Sequence, residues 1–167
     1  MAELNKRRVL SVLVENKSGV LARVVALISR RGFNIDSLSV GPTEDQTRSR
    51  ITILSDVDDE AWEQITKQLN KLIVVHKISD LTDGNPIERE LVLFKVEAPA
   101  ERRSEVIEIA SLFRANIVDV GATSLTIEAT GSESKLSGLE DLLRSYGIKE
   151  ITRTGKIAIS RNSKGSS

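Results

Sequence analysis

At 167 residues the chain can form one domain or two small ones, and either can bury a core. Lysine plus arginine and aspartate plus glutamate balance at 24 each, so no excess positive charge invites nucleic acid or an anionic membrane surface. Cysteine is absent, which excludes disulfides, thiolate nucleophiles and cysteine-ligated zinc.

Aromatic residues are scarce (Trp62, Tyr146, Phe33, Phe94, Phe113), so the stacking platforms of single-strand binders are missing. No apolar run approaches the ~20 residues of a membrane span. Met1 to Arg8 is short and polar and does not look like a signal or transit peptide. A soluble cytoplasmic protein is expected.

The elements alternate along the chain. Arg8–Val14 reads as a strand, Val20–Arg31 as a helix, and Asn34–Val40 and Ser49–Ser55 as strands joined through Gly41–Gln46. Glu60–Leu72 reads as a helix and Ile73–Asp80 as a strand. The first helix places Val20, Val24, Leu27 and Ile28 on one stripe, and the second does so with Trp62, Ile65, Leu69 and Leu72. Asp58 and Asp59 stand where a cap and first-turn charges belong. The order βαββαβ predicts an α+β, ferredoxin-like unit: four antiparallel strands with two helices on one face.

Leu81-Thr82-Asp83-Gly84-Asn85-Pro86 is a turn-rich break, after which the order starts again. Glu90–Glu97 is a predicted strand, Arg102–Arg114 a helix, Asn116–Val120 and Leu125–Thr130 strands, Ser134–Tyr146 a helix and Glu150–Ile159 a closing strand. Moving the second half back by about 82 positions aligns Arg89 with Arg7, Glu97 with Glu15, Val106 with Val24 and Asn116-Ile117 with Asn34-Ile35, the mark of an internal repeat. Two ferredoxin-like domains are expected: residues 1–80, a linker over 81–89, residues 90–160, and a flexible tail over 161–167.

Chemistry concentrates in the first half. The strand ending at Val14-Glu15 runs into Asn16-Lys17-Ser18-Gly19, and a helix starts at Val20-Leu21. A helix N-terminus presents open N–H groups and partial positive charge, which suits a carboxylate. Gly19 carries no Cβ, so a ligand can come close to the backbone. Asn16 and Asn34 each offer an acceptor for an ammonium and a donor for a carboxylate. The plainer reading of Ser18-Gly19 is a tight turn with a helix cap, and Asn34 could equally be a turn residue. The helix start and the strand start can share a crevice only if a neighbouring chain completes it. In the second half Ala98-Pro99-Ala100-Glu101 replaces the loop: the glycine is gone and Pro99 has no N–H. That half is expected to bind no ligand, or a different one.

Leu10–Val24 and Arg31–Val40 resemble the ACT domain of the small, regulatory subunit of acetohydroxyacid (acetolactate) synthase. The resemblance continues through Ser49–Ile53, Gln64–Leu72, Glu88–Leu91 and Arg114–Val120, dense to about residue 80 and thinner after Val96. It implies a branched-chain amino acid effector, usually valine, bound where two ACT domains meet. Asn16, Gly19 and Asn34 match the family's effector-contacting positions, flanked by Ser18, Val20, Leu21 and Ile35. It further implies a homodimer and a catalytic partner subunit carrying thiamine diphosphate, magnesium and FAD, none of which binds this chain. Such a subunit is not itself an enzyme: it raises its partner's activity and transmits feedback inhibition in valine and isoleucine biosynthesis. A free-standing two-ACT sensor, regulating transcription or another enzyme, is the alternative.

Other constellations carry less. His76, the single histidine, is expected on a half-exposed strand, with no serine-histidine-carboxylate set around it. Asp56, Asp58, Asp59 and Glu60 lack the spacing of a calcium loop and suit helix capping. The pairs Arg7-Arg8, Arg30-Arg31 and Arg102-Arg103 read as solvated faces, with partner docking as the alternative. An acylphosphatase would place an arginine in the first loop, which holds only Lys17. An RNA-binding sheet would need aromatics where Ser11, Val12 and Leu13 stand.

Overall fold

Alternation builds the first sheet. In β1 (Lys6–Glu15) the side chains of Leu10, Val12 and Val14 point to one face, and in β3 (Arg48–Val57) Ile51, Ile53 and Val57 join them. The helices α1 (Val20–Ser29) and α2 (Asp59–Asn70) cover that face with Val20, Val24 and Ile28 and with Trp62, Ile65 and Leu69. Leu10, Ile51 and Leu69 are fully buried, each contributing about 1.5–3 kcal/mol of transfer free energy. With β2 (Ser37–Pro42) and β4 (Val75–Asp80) the strands lie in the order β2-β3-β1-β4, every pair antiparallel. This is the expected βαββαβ unit, with β2 at one edge.

The computed structural model describes residues 5–162. It divides into two units, one of residues 1–87 with 156–167 and the other of residues 88–155. The second unit repeats the plan. Its strands are β5 (Ile87–Glu97), β6 (Asn116–Val120), β7 (Ser124–Gly131) and β8 (Ile148–Arg153), in the order β6-β7-β5-β8. Helices α3 (Arg103–Leu112) and α4 (Glu133–Arg144) flank a core around Phe94, Ile127, Leu136 and Leu139. The repeat extends to irregularities: the first strand of each unit breaks register against the last, at Leu13/Val14 and at Lys95/Val96.

The closing strand expected over Glu150–Ile159 is two strands. β8 ends at Arg153, Gly155 turns at φ +86°, and β9 (Ile157–Ile159) belongs with the first unit. There Ala158 is buried against Val9, Leu54 and Leu81, and the Lys156 N–H donates to Ser37 Oγ at 2.8 Å. The apolar count of a continuous strand hides this, because Gly155 alone carries the bend. Arg161 donates through Nε to the Asn85 carbonyl at 2.8 Å, and residues 163–167 of the expected tail lie outside the described residues.

The end of the first core near the start of α2 is polar. Arg8, counted among solvated faces from sequence, is 6% exposed: its guanidinium donates to Asp59 and lies 5.9 Å from the Trp62 ring centroid. Asp58 caps α2 by accepting from the Ala61 N–H at 2.7 Å. Trp62 Nε1 donates to Asp80 Oδ2 at 2.6 Å, and Thr82 donates to Asp80 Oδ1 through both N–H and hydroxyl. Burial alone would raise the Asp80 pKa; the hydrogen bonds from Thr82 and Trp62, with the Arg8 charge nearby, outweigh it and hold the carboxyl below the usual carboxylate range. A depressed folded pKa contributes stability present above the unfolded value of about 3.9 and lost as pH falls through the folded one. Acidification below about pH 4 should therefore lower the melting temperature of the wild type more steeply than that of Asp80→Asn, and parallel slopes for the two proteins would contradict this role.

Candidate functional site

The loop after β1 is held by its backbone and by one side chain. Asn16 N–H donates to the Thr47 carbonyl at 2.8 Å, and Asn16 Nδ2 donates to the Gln46 carbonyl at 2.9 Å. The β2–β3 connection thereby pins the loop that leads into α1. Lys17 pairs with Glu15 at 3.0 Å and leaves the loop tip open; this hydrogen bond and charge keep the Glu15 carboxyl below its ordinary range. Asn16, Lys17, Ser18 and Gly19 are all exposed.

Gly19 is the N-cap of α1 at φ +83°, and no side chain caps the helix, Ser18 included. The plainer reading of Ser18-Gly19, a tight turn with a helix cap, agrees with this geometry: Gly19 itself is the cap, in a left-handed turn, and the Ser18 hydroxyl takes no part. α1 also has no acidic residue in its first turn, whereas α2, α3 and α4 carry Asp59 and Glu60, Glu105, and Glu133 there. Its partial positive end is uncompensated, an arrangement favourable to a bound carboxylate. Val20 is buried in the core, and Leu21 packs against it with part of its surface exposed.

Asn34 is not in a strand, contrary to the expected start of the second strand: β2 begins at Ser37. Asp36 delays it. Its Oδ1 accepts from Asn34 Nδ2 at 2.7 Å and its Oδ2 accepts from the Asp56 N–H at 2.9 Å, while Ser55 Oγ donates to the Asn34 carbonyl. Asn34 is exposed and Ile35 half-buried. Asp36 and Ser55, which the sequence did not single out, are the side chains that hold Asn34. The Asn-x-Asp spacing was the available signal for the first; Ser55 is legible only through strand pairing. Both asparagines commit Nδ2 to their own chain, and neither Oδ1 accepts a hydrogen bond among the described residues.

The two halves of the site lie at opposite ends of the sheet. Glu15 pairs with Arg48, so Asn16 sits at that end; Asn34 is tied to Ser55, which pairs with Arg8. The seven residue steps of β3 between Arg48 and Ser55 span about 23 Å at the rise of an extended strand. One chain does not bring Asn16 and Gly19 together with Asn34 and Ile35.

The second unit answers the same geometry differently. Ala98 N–H donates to the Thr123 carbonyl at 2.8 Å, the counterpart of the Asn16–Thr47 bond. Where Asn16 reaches one carbonyl, Arg103 Nη2 donates to Gly121 and Ala122 carbonyls, both at 2.7 Å, and its Nε and Nη2 reach Ala98 at 3.3 and 3.2 Å. A guanidinium fills that loop cluster. Arg103 is thus a structural donor, not the solvated cation expected from its basic pair.

Among the described residues no group of three or more histidine, cysteine, aspartate or glutamate side chains could hold a metal ion, and no helix is long and apolar enough to cross a membrane. His76 is exposed beside the register shift of β1 against β4.

Family models match both units: an acetohydroxyacid synthase small subunit-like ACT domain over residues 10–77, and the small subunit of acetolactate synthase over residues 89–162. A probable acetolactate synthase small subunit of Archaeoglobus fulgidus is 54% identical over 95% of this chain and 99% of its own. An acetolactate synthase small subunit of Mycobacterium bovis is 56% identical over 96% of this chain and 95% of its own. A crystal structure of an acetolactate synthase small subunit from Thermotoga maritima superposes with a TM-score of 0.87 at 39% identity, covering 95% of this chain and 99% of that one.

Gly19→Ala isolates the backbone contribution, because a Cβ there meets nothing within 4 Å but must adopt φ +83°. It should destabilise the first unit by about 1–2 kcal/mol in denaturant unfolding, and an unchanged midpoint would mean that the turn relaxes without cost.

Proposed function

The chain belongs to the acetolactate synthase small-subunit family, and from that premise we propose that it is a non-catalytic cytoplasmic regulatory subunit whose first unit binds a branched-chain amino acid, valine foremost, between two copies of itself. The observation that carries this reading is the placement of Asn16 and Gly19 at one end of the sheet and of Asn34 and Ile35 at the other. β2 is an edge strand with Val40 47% exposed beside α1's face of the sheet. Two-fold, antiparallel pairing of β2 with β2 of a second copy reverses one sheet against the other. The α1 N-terminus of one chain then meets the β2 entry of its partner, and two equivalent pockets arise.

In each pocket the N–H groups of Gly19 and Leu21 take the ligand carboxylate, helped by the uncompensated helix end, while the Val20 N–H makes a long bond of 3.4 Å to the Lys17 carbonyl. The Oδ1 atoms of Asn16 and, across the seam, of the partner's Asn34 accept from the ammonium, with the carboxylate of the partner's Asp36 behind it. Val20, Leu21 and the partner's Ile35 surround the isopropyl group. A ligand of roughly eight heavy atoms gains at most about 1.5 kcal/mol per atom before ordering costs, which yields affinities in the range of metabolite pools. The ligand bridges two chains, so its binding energy reports on their relative placement. A coupling of about 1–3 kcal/mol to the catalytic subunit changes activity several-fold. That partner, which carries thiamine diphosphate, magnesium and FAD, is activated by this chain and made sensitive to feedback inhibition through it.

Gly19→Asp sets a carboxylate against the ligand's own and should abolish valine binding, and Asn34→His should do the same from the other side of the seam. The shared pocket makes a sharper demand. A mixed dimer of the two variants holds one pocket with both lesions and one with neither, so calorimetry should recover about half of the wild-type sites at wild-type affinity. Two dead pockets in the mixed dimer would place both residues in one chain's site and overturn the arrangement.

A further inference from the structure

One basic pair, Arg30-Arg31, is exposed as the sequence suggests, and its surroundings are unusual. α1 contains no acidic residue. On the side of α1 that faces α2 runs an open groove of about 670 Å³, floored by Ala22, Ala26, Leu27 and Leu72. Its charged lining consists of Arg23, Arg30 and Arg31. The side chains of Arg23 and Arg30 make no hydrogen bond or ion pair among the described residues, and the Arg31 guanidinium donates only to the neutral Gln64 Oε1 at 3.2 Å. In a chain of zero formal net charge, three cations without an acid among the lining residues are a local feature rather than a consequence of composition.

The spacing is regular. Arg23 and Arg30 are seven residues apart, so they project from nearly the same face of α1 about 10.5 Å apart along its axis. Ala22 and Ala26 between them remove side-chain bulk, which lets another helix approach near the lower end of the usual 8–10 Å interaxial range. The apolar floor distinguishes the groove from a site for a small inorganic anion, since it offers dispersion contact rather than donors. The groove's lining comes from α1, α2 and the residues just past each helix and includes none from β2, the edge through which two copies are proposed to pair.

We propose that this groove docks an acidic amphipathic helix of the catalytic chain. About two turns lie across Ala22 and Ala26 with short aliphatic side chains downward, and carboxylates two turns apart face Arg23 and Arg30. The proposal rests on the reading of the chain as a regulatory subunit, and adds the surface through which α1, whose first turn receives the effector, touches its partner. Effector binding and docking then act on the two halves of one rigid helix.

The test titrates the full-length chain, at low and moderate salt, into the catalytic chain of the same holoenzyme. It compares the wild type with the double variant Arg23→Glu/Arg30→Glu, with Arg23→Gln/Arg30→Gln, and with Ala26→Gln, which raises the floor while keeping a good helix former. Association should weaken on the order of tenfold or more in each variant, most in the charge reversal. The salt dependence of the wild type should flatten in the two arginine variants. Valine binding by the isolated chain should stay unchanged throughout. Variants that bind valine normally and hold the catalytic chain as tightly as the wild type would overturn the docking surface and leave the regulatory reading standing. A wild-type chain that binds no catalytic chain at all would overturn both.

Discussion

The direction of the backbone through one antiparallel sheet constrains everything else here. β1 delivers Asn16 and Gly19 to one end, and α1 returns the chain to the other end before Asn34 and Ile35 appear. A βαβ crossover must do this, because the helix has to span the sheet before the next strand can enter. Groups about 23 Å apart along β3 cannot hold one small amino acid. In the pocket proposed above, which spans two copies, effector and assembly are thermodynamically linked.

The internal repeat makes the point by contrast. Both units pin the loop after their first strand with the same backbone bond, Asn16 to Thr47 and Ala98 to Thr123. In the first, an asparagine amide closes the contact and leaves an uncapped, uncompensated helix start beside it. In the second, Arg103 spends its guanidinium on carbonyls of three residues, and Glu105 stands in the first turn of α3. The same scaffold is open and positive in one copy and internally satisfied in the other. A buried or half-buried carbonyl left without a donor is costly, and Arg103 supplies donors to Ala98 and Gly121 in a loop that lacks Asn16's counterpart.

Charge follows the same division of labour. Arg8 is withdrawn into the core beside Trp62 and Asp59, where its cost is offset by pairing and ring contact. Arg153 links Glu90 and Glu140 in the second unit. Arg23, Arg30 and Arg31, on and just past α1, have no acidic partner among the described residues, and the first turn of α1 has no acid either. A helix with no acid of its own is thereby suited to two anionic partners, a ligand carboxylate at its end and a protein side chain on its flank.

Much of this was legible in the residues. The apolar stripes of α1 and α2, the alternation in β1, the Asp58 cap and the repeat at Asn116-Ile117 follow from local periodicity and spacing, which short-range sterics and burial enforce. Gly19 could be singled out because it stands at a helix start without a Cβ; its left-handed φ became visible only in the structure. What local pattern could not decide were the pairings between distant segments: that β9 folds back to bury Ala158, that Ser55 and Asp36 fix Asn34 and delay β2, and that Arg8 and Arg103 turn inward while Arg30 and Arg31 do not. A side chain's charge is written in the chain, but whether that charge meets water, a carbonyl or a partner depends on which surfaces the closed sheet brings beside it.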